Sequence, residues 1–276
     1  MSTLEEVFKE GKRLLTEVNI EEAELDAWYL LEYCFGITRM SYYMNPNKEV
    51  SQEQYLRYQE AIKCRRERIP LSHITKERDF FGYTFFVNEH VLIPRQETEI
   101  LVEEALKCCK GKRVLDICTG SGCIAITISK EGAPSEVVAV DISTDALEVA
   151  KQNGKTLEAD VTFIYSDLYQ HVEGRYDVIV SNPPYIKTSE IKELMPEVRL
   201  HEPMLALDGM EDGLVFYRRI IDDAKNYLNP DGRILFEIGY DQGQEVKELL
   251  LMAGFLDVKV IKDLTGRDRV VTAIYR

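Results

Sequence analysis

The residues best suited to do chemistry in this sequence are Asn182-Pro183-Pro184-Tyr185, which follow a run typical of a buried β-strand, residues 176–181. In an open α/β sheet, ligands bind at the carboxyl ends of the strands. The two prolines fix two φ angles and remove two backbone donors, so carbonyl groups there have no competing amides. The Asn side chain, these carbonyls and the Tyr ring would suit a planar –NH2 group with two N–H donors. The alternative is that Asn-Pro and Pro-Pro only mark a turn.

A second motif lies upstream, where the strand-like residues 114–117 run into a turn containing Gly120 and Gly122. Glycines let a backbone approach a ligand closely, and a helix that starts there supplies free amides. Asp141 ends the next predicted strand, where a carboxylate can accept hydrogen bonds from both hydroxyls of a ribose. Gly120-x-Gly122-x-x-Ala125 with Asp141 also fits the dinucleotide fingerprint, so NAD is an alternative cofactor.

Asp116 helps to choose between the two cofactors. A carboxylate at the tip of this strand would repel a pyrophosphate, whereas it would attract an ammonium group such as that of S-adenosylmethionine. A surface or capping role is the plain alternative for Asp116. Because the glycine turn, Asp141 and the Asn-Pro-Pro-Tyr loop occur together, the sequence favours S-adenosylmethionine over NAD. A phosphate-binding P-loop is excluded, since no Gly-Lys-Ser/Thr follows the turn.

Asp167 and Leu168 follow the third strand of this series. By position they can flank an adenine, with Asp167 near its exocyclic amine and Leu168 against the ring. The alternative is an ordinary loop acid beside a core leucine.

Size and charge limit the possible functions. The 276 residues can form one large α/β domain and a second, smaller domain. The net charge of −14 argues against a protein that binds the phosphate backbone of nucleic acids through bulk electrostatics. No apolar run approaches the ~20 residues of a membrane span, and residues 1–10 lack the order of a signal peptide, so we expect a cytoplasmic protein without a membrane partner. The six cysteines and four histidines show no metal-ligand spacing.

The N-terminal part, residues 1–75, reads as a small helical domain. Apolar residues recur there at helix spacing, Gly36 is placed as a helix stop, and Ser51 with Gln54 predicts a capping box for a helix that runs towards Ile69. Residues 76–95 are aromatic and β-branched and predict a β-hairpin that links two domains. A helix over residues 100–108 follows, and Thr98 or a neighbour could cap it.

Strands and helices alternate through the remaining domain, residues 96–276. The predicted strands are 113–117, 136–141, 161–165, 176–181, 233–238, 257–261 and 269–275. The predicted helices are 122–130, 144–152, 214–228 and 244–253. This rhythm predicts a doubly wound, mostly parallel sheet. The last connection is too short for a parallel crossover, so the final strand should be reversed.

These residues resemble those of class I S-adenosylmethionine-dependent methyltransferases of the Asn-Pro-Pro-Tyr group. Over its whole length the chain resembles the HemK-type family, the glutamine methyltransferases that modify peptide chain release factors. The resemblance rests on the helical N-terminal part, residues 93–99, 114–125, 177–185, 201–203, 206–209, 212–213, 237–239 and 263–269. It implies a seven-strand α/β methyltransferase sheet with a reversed last strand.

The resemblance also implies roles for individual residues. The donor would contact Cys118, Thr119, Gly120, Ser121, Gly122, Asp141, Leu168 and Asn182. The substrate glutamine would contact Asn182, Pro183, Pro184 and Tyr185. Three departures from the family pattern stand out: Cys118 replaces the first glycine, Gln96 replaces a proline, and residues 73–76 replace a common Tyr-Ile-x-Gly.

Together with the site residues, the resemblance implies a monomeric enzyme that methylates the side-chain amide of the glutamine in the Gly-Gly-Gln motif of release factors. The alternative is an adenine amino methyltransferase that acts on nucleic acid, but the acidic charge and the lack of a recognition insert argue against direct contact with nucleic acid. A non-catalytic adaptor built on a methyltransferase fold is a third possibility, which the intact Asp116, Asp141 and Asn182 argue against.

Overall fold

The computed structural model describes residues 2–276, which form two compact units. The first unit extends to Lys76 and also takes in Met195–His201, and the second comprises Glu77–Leu194 and Glu202–Arg276. Within the described residues, no helix is both long and apolar enough to cross a membrane.

The helices are α1 (Leu4–Glu17), α2 (Ala23–Phe35), α3 (Arg39–Met44), α4 (Gln52–Arg66), α5 (Leu71–Thr75), α6 (Glu99–Leu106), α7 (Cys123–Glu131), α8 (Thr144–Thr156), α9 (Pro196–His201), α10 (Met204–Leu207), α11 (Val215–Tyr227) and α12 (Gly243–Met252). The strands are β1 (Glu77–Phe80), β2 (Tyr83–Phe86), β3 (Arg113–Ile117), β4 (Glu136–Asp141), β5 (Thr162–Tyr165), β6 (Tyr176–Ser181), β7 (Leu228–Glu237), β8 (Leu256–Lys262) and β9 (Asp268–Ile274).

Two helix boundaries of the first unit lie where the sequence predicts, the start of α4 and the end of α2, whereas α4 ends at Arg66 rather than near Ile69. Ser51 and Gln54 form the predicted capping box at the start of α4, in which each side chain bonds the other residue's backbone amide. Gly36 ends α2 at φ 62°, a left-handed conformation that costs glycine little. The apolar stripes meet in a core that includes the fully buried Leu15, Leu30 and Leu31.

A buried ion network holds α9 in the first unit. The Arg65 guanidinium lies 2.6 Å from Asp26 Oδ2 and 3.0 Å from Glu197 Oε1, and Arg68 lies 3.2 Å from that same Glu197 oxygen. Each side chain of the Asp26–Arg65–Glu197 set is about nine-tenths buried. The network therefore explains how a helix more than one hundred residues downstream belongs to the N-terminal unit.

The second unit is built on a seven-stranded sheet with the order β5-β4-β3-β6-β7-β9-β8. Neighbours from β5 to β7 are parallel, whereas β9 runs antiparallel between β7 and β8. This arrangement confirms the predicted fold class, including the reversed last strand. The strand order turns back between β3 and β6, which is where ligands bind in such sheets.

The sheet is buried on both faces, since its strands contribute to two apolar clusters. Leu115 and Ile179 belong to one cluster, and Val114 and Val178 belong to the other. Successive residues of a strand point to opposite faces, so a continuous apolar run fits a sheet covered by helices on both sides. This double cover leaves the carboxyl ends of the strands as the place where polar groups can gather.

One local prediction differs from the structure. Thr98 precedes α6 but makes no side-chain capping bond, because its hydroxyl instead accepts a hydrogen bond from Asn182. The predicted hairpin is present as β1 and β2, and its Phe80 and Phe85 are buried in the second unit's core together with Leu101. The division into three domains, with residues 76–95 as a linker, stays a prediction.

Candidate active site

A cavity of about 280 Å³ opens at the carboxyl ends of β3, β4 and β6. Most of the residues predicted for the site line it. These are Cys118, Thr119, Gly120, Ser121, Asp141, Asp167, Leu168, Asn182 and Pro184. Four others, Asp116, Gly122, Pro183 and Tyr185, are outside this lining. The topology thus brings together four segments that are far apart in sequence, because parallel strands end at one edge of the sheet.

Asp141 joins the first two segments. Its Oδ2 accepts a hydrogen bond from the Gly120 amide at 2.8 Å, and its Oδ1 accepts one from the Ser143 amide at 2.9 Å. Burial raises the pKa of Asp141, while these backbone hydrogen bonds oppose the shift. The carboxylate therefore lines the cavity in a fixed orientation, with spare lone pairs available to ligand hydroxyls.

The turn after β3 has a backbone that favours glycine. Cys118 has φ 63° and Gly120 has φ 54°, and a Cβ added at Gly120 would meet no atom within 4 Å. Lys76 also has φ 63° and stands where the resembled family has a glycine. Cys118 and Lys76, which both replace a glycine of the family pattern, thus adopt the left-handed conformation that glycine adopts most easily.

Gly122 serves close packing rather than contact with the cavity. It precedes α7 at φ 81°, and an added Cβ would lie 3.0 Å from Ile126 and 3.2 Å from the Ala150 side chain. Glycine lets α7 start close to α8, which brings the free amides of the α7 start towards the turn. The predicted donor contact of Gly122 itself stays a prediction.

Asp116 is fully buried within β3. Its Oδ2 accepts a hydrogen bond from the Thr119 hydroxyl at 2.6 Å, and its Oδ1 has no hydrogen-bond partner among residues 2–276. Burial raises its pKa to about 7, and the Thr119 bond opposes this shift. Because Asp116 is fully buried and lies outside the lining of the cavity, the predicted ammonium contact stays a prediction.

The far end of the cavity contains a residue that the sequence did not single out. Arg219 donates to both Asp167 oxygens at 2.9 Å, and both side chains line the cavity. Leu168 lies beside them at φ 51° with only 8% of its surface exposed. Asp167, which the sequence predicts to contact the adenine amine, is thus also paired with Arg219 of α11. The two residues are 52 apart in sequence, so no local pattern predicts the pair.

The Asn-Pro-Pro-Tyr loop is fixed at both ends. Before it, the Ser181 hydroxyl donates to the Ile117 carbonyl at 2.6 Å. After it, the Tyr185 carbonyl accepts from Gln242 Nε2 at 3.0 Å, and an added Cβ at Gly209 would lie 2.7 Å from the Tyr185 backbone. A glycine at Gly209 is therefore required by this close approach.

Asn182 lines the cavity and contacts Thr98. Its Nδ2 donates to the Thr98 hydroxyl at 3.4 Å, and the described residues give its Oδ1 no hydrogen bond. Tyr185 points its hydroxyl away from the cavity towards Glu237 Oε1, at 3.4 Å, and burial is the main cause that raises its pKa. The predicted stacking of Tyr185 on a substrate amide stays a prediction.

Glu202 anchors the chain around Arg95, a residue that lines the cavity. One Glu202 oxygen accepts from the Ile93 amide at 3.2 Å, and the other lies 2.5 Å from the Arg95 guanidinium. The Glu202 side chain is only 1% exposed, and Arg95 lines the cavity. Sequence reasoning did not assign either residue a role, although both belong to motifs that carried the family resemblance.

These groups fit S-adenosylmethionine. Asp141 suits the ribose hydroxyls, the open side of Gly120 leaves room for the amino-acid end, and the apolar face of Leu168 suits a flat ring. The two guanidinium groups that line the cavity, those of Arg95 and Arg219, are already paired with the carboxylates of Glu202 and Asp167. The residues that line the cavity therefore agree with S-adenosylmethionine, the cofactor that the sequence favours over NAD.

Comparison with known proteins gives an independent result. Residues 95–201 match the Methyltransferase small domain, and residues 6–75 match the PrmC N-terminal domain. The release factor glutamine methyltransferase of Geobacter sulfurreducens is 39% identical over 271 residues, covering 98% of this chain and 95% of the relative. That of Bacillus cereus is 42% identical over 254 residues, covering 88% and 90%.

Solved structures share the fold over about seven-tenths of the chain. A methyltransferase from Pyrococcus furiosus superposes with a TM-score of 0.54 at 20% identity, covering 71% of this chain and 90% of that one. A 16S rRNA methyltransferase of T. thermophilus, in complex with AdoMet and guanosine, gives 0.53 at 19% identity, covering 72% and 50%.

The sheet and its cavity define a class I methyltransferase that uses S-adenosylmethionine, which confirms the predicted enzyme class and cofactor. The full-length relatives narrow this assignment. The chain belongs to the release factor glutamine methyltransferase family, as the resemblance predicted.

Proposed function

We propose that this enzyme methylates the side-chain amide nitrogen of the glutamine in the Gly-Gly-Gln motif of peptide chain release factors. The observation that carries the proposal is the place of Asn182, which lines the cavity while its nitrogen donates to Thr98, so that its oxygen is the atom left for a substrate. An acceptor there suits a carboxamide, which has two N–H donors on one nitrogen. Full-length relatives named for this activity support the same conclusion.

The chemical difficulty is the low reactivity of an amide nitrogen, because its lone pair is delocalised into the carbonyl. Asn182 Oδ1 and the Pro183 carbonyl would each accept one N–H of the substrate amide. Two acceptors on one side increase the negative character of the nitrogen and bend it towards a tetrahedral shape. Preorganised contacts of this kind are worth ~2–4 kcal/mol each in a site that excludes water.

The remaining roles follow from position. When bound, S-adenosylmethionine supplies a methyl group on a positively charged sulfur. Cys118, Thr119, Gly120, Ser121, Asp141, Asp167 and Leu168 would hold it, with Asp116 beneath its ammonium group. Orientation of the substrate amide by residues 182–185 would contribute as much as the acceptors or more, since aligned reactants avoid the entropic cost of encounter. No basic side chain is needed, because the amide proton becomes acidic only as the new bond forms.

We further propose that the helical residues 1–75 recognise the substrate protein, that residues 76–95 link them to the methyltransferase domain, and that the enzyme acts as a monomer without direct contact with nucleic acid. The match of residues 6–75 to a domain of its own supports a separate role for this part. The chain's net charge of −14 supports a protein rather than a nucleic acid as the partner.

The proposal is tested by incubating the enzyme with methyl-labelled S-adenosylmethionine and a purified release factor, followed by peptide mapping. We expect label on the glutamine of Gly-Gly-Gln and none on a release factor in which that glutamine is replaced by asparagine. Label on another residue would refute the proposal. Label on adenine in added RNA or DNA, with none on the release factor, would favour the nucleic-acid alternative instead.

A further inference from the structure

An ion pair lies in the wall of the cavity, and the proposed mechanism gives its cation no role. Arg219 of α11 donates from one nitrogen, Nη2, to both carboxylate oxygens of Asp167 at 2.9 Å, and both side chains line the cavity. The Arg219 and Asp167 side chains are 45% and 37% exposed. Because ion pairs as exposed as this one contribute little to stability, support of the fold does not account for it.

The turn that carries Asp167 is tied to Asp141, the residue that suits a ribose. The Asp141 carbonyl accepts a hydrogen bond from the Ser166 amide at 3.0 Å. The Ser166 hydroxyl in turn donates to the Leu168 carbonyl at 2.7 Å and accepts from the His171 amide at 3.0 Å. The backbone of residues 166–168 is therefore fixed directly beside Asp141. A base attached to a ribose that Asp141 holds would have this turn within reach.

Two apolar side chains give this part of the cavity surfaces that suit a flat ring. Leu168 is buried in the apolar cluster on one face of the sheet, Phe216 of α11 packs against the same cluster, and both line the cavity. The Arg219 guanidinium carbon lies 5.9 Å from the Phe216 ring centroid, a cation–π contact within α11. Leu168 has φ 51°, a left-handed conformation that is costly for a residue with a Cβ and that is found at ligand sites. Apolar faces and one charged edge together match the needs of a purine.

Arg219 leaves the Asp167 carboxylate able to accept further hydrogen bonds. An ionised carboxylate only accepts, and it has about four lone-pair positions. A single Arg219 nitrogen engages both Asp167 oxygens, so each oxygen keeps a position for a second donor. The 6-amino group of adenine offers such a donor, whereas a 6-oxo purine would bring an oxygen against the carboxylate. Without the guanidinium, a side chain as exposed as that of Asp167 can turn into solvent, where it neither binds the amine nor excludes the oxygen.

We propose that Arg219 is a positioning residue for the methyl donor: it holds the Asp167 carboxylate at the cavity wall, so that the pair selects adenine over a 6-oxo purine. This inference rests on the proposed function, because it takes the adenine of S-adenosylmethionine to lie beside Asp167 and Leu168. Phe216 supports the guanidinium through the cation–π contact. The selection therefore depends on α11 as well as on the turn after β5.

Calorimetric titration with two ligands tests the proposal. The first ligand is S-adenosylhomocysteine, and the second is S-inosylhomocysteine, in which an oxygen replaces the 6-amino group. We expect the native enzyme to bind S-inosylhomocysteine roughly 10-fold more weakly, the lower end of what loss of a charged hydrogen bond gives, because Asp167 is partly exposed. Asp167→Asn should bind the two ligands within about threefold of each other, since a carboxamide can turn either its oxygen or its NH2 group to the base.

Arg219→Met leaves the carboxylate in place, yet it should also lose the preference, and its dissociation constant for S-adenosylhomocysteine should rise roughly 10-fold. Arg219→Lys keeps a cation beside Asp167 and should recover most of the preference. Thermal unfolding of each variant shows whether it is folded, and if Arg219→Met is not, Arg219→Gln takes its place with the same expectation.

Arg218→Met is the matched control. Arg218 is the neighbouring residue of α11 and also pairs with an aspartate, Asp212, at 2.9 Å, but it lies outside the lining of the cavity. Its variant should bind both ligands as the native enzyme does.

A native preference retained in Arg219→Met, with or without a common loss of affinity for both ligands, would overturn the proposal, since a purely structural role predicts that result. Equal binding of the two ligands by the native enzyme would overturn it as well. These outcomes differ from failure of the proposed function, because the titrations contain no release factor. An enzyme that selects adenine but labels no glutamine would keep the positioning role of Arg219 and lose only the substrate assignment.

Discussion

The Asn182 amide nitrogen donates to the Thr98 hydroxyl at 3.4 Å, across 84 residues of sequence. This contact turns a residue placed like a helix cap into part of the active site. It also leaves the Asn182 oxygen as the atom available to a substrate, which makes the side chain the natural target for a first substitution.

Asn182→Ala should abolish most of the turnover while donor binding persists. Removal of one preorganised polar contact costs roughly 10²- to 10³-fold in kcat. Initial rates of methyl transfer to a release factor measure the effect, and calorimetry with S-adenosylhomocysteine measures donor binding. Asn226→Ala, on the exposed face of α11, is the matched control. A variant that retains turnover close to native would refute the acceptor role of Asn182.

Asp141→Asn should weaken donor binding instead. The carboxylate accepts from two backbone amides that belong to different loops, and an amide oxygen can replace only one of its two oxygens. Loss of a charged hydrogen bond is worth about 1.5–3 kcal/mol, so the dissociation constant for S-adenosylhomocysteine should rise roughly 10- to 100-fold. Glu148→Gln, exposed on α8, should bind normally. Native affinity in the Asp141 variant would exclude the predicted ribose contact.

The raised pKa of Asp116 predicts that binding of S-adenosylmethionine or S-adenosylhomocysteine releases protons. Its pKa is raised to about 7 by burial, so at neutral pH roughly half of the molecules carry a proton there. An ammonium group placed beside Asp116 would favour the ionised form and expel that proton. Calorimetric titration with S-adenosylhomocysteine at pH 7, in buffers of different ionisation enthalpy, counts the protons released. The release should disappear in Asp116→Asn, and a native enzyme that releases none would contradict the ammonium contact.

The raised pKa values of Asp116 and Glu237 also make the stability of the ligand-free protein depend on pH. The folded state holds the Asp116 and Glu237 protons more tightly than the unfolded chain, since both pKa values are raised to about 7. Their contribution to stability is fully present below the unfolded pKa values, near 4, and is lost as the pH rises to about 7. Replacing both carboxyls by amides should flatten this part of the stability profile, as measured by urea unfolding from pH 4.5 to 7.5. A slope unchanged in that double variant would refute the shifts.

Arg65→Met should destabilise the first unit strongly. It would leave Asp26 and Glu197 buried beside each other without their shared cation, and removing one partner of a buried ion pair costs roughly 3–5 kcal/mol. Urea unfolding followed by Trp28 fluorescence, the sole tryptophan of the chain, reports on this unit. Arg13→Met, whose pair with Glu17 is exposed, should change stability by less than about 1 kcal/mol.

Glu197 gives this network a pH dependence of opposite sign to that of Glu237. Burial tends to raise its pKa, but hydrogen bonds from the backbone, Arg65 and Arg68 outweigh burial and lower it. The network's contribution to stability is therefore present above the ordinary glutamate pKa and is lost as the pH falls through the lowered value. Equal acid sensitivity of the native protein and Glu197→Gln would argue against this role.

The sequence alone determined the sheet, its reversed last strand, the glycine turn, Asp141 and the Asn-Pro-Pro-Tyr loop. These features are local: strands are continuous apolar runs, and polar residues that follow them in parallel strands must gather at one edge. The tertiary structure alone decided the contacts of Thr98, Arg219, Glu202 and Glu237, and the membership of α9 in the N-terminal unit. Each of these contacts depends on burial or on a partner 50 or more residues away. Neither burial nor a distant partner has a signature in the neighbouring residues of the sequence. A carboxylate or hydroxyl acquires its function from what surrounds it, and only the packed fold sets those surroundings.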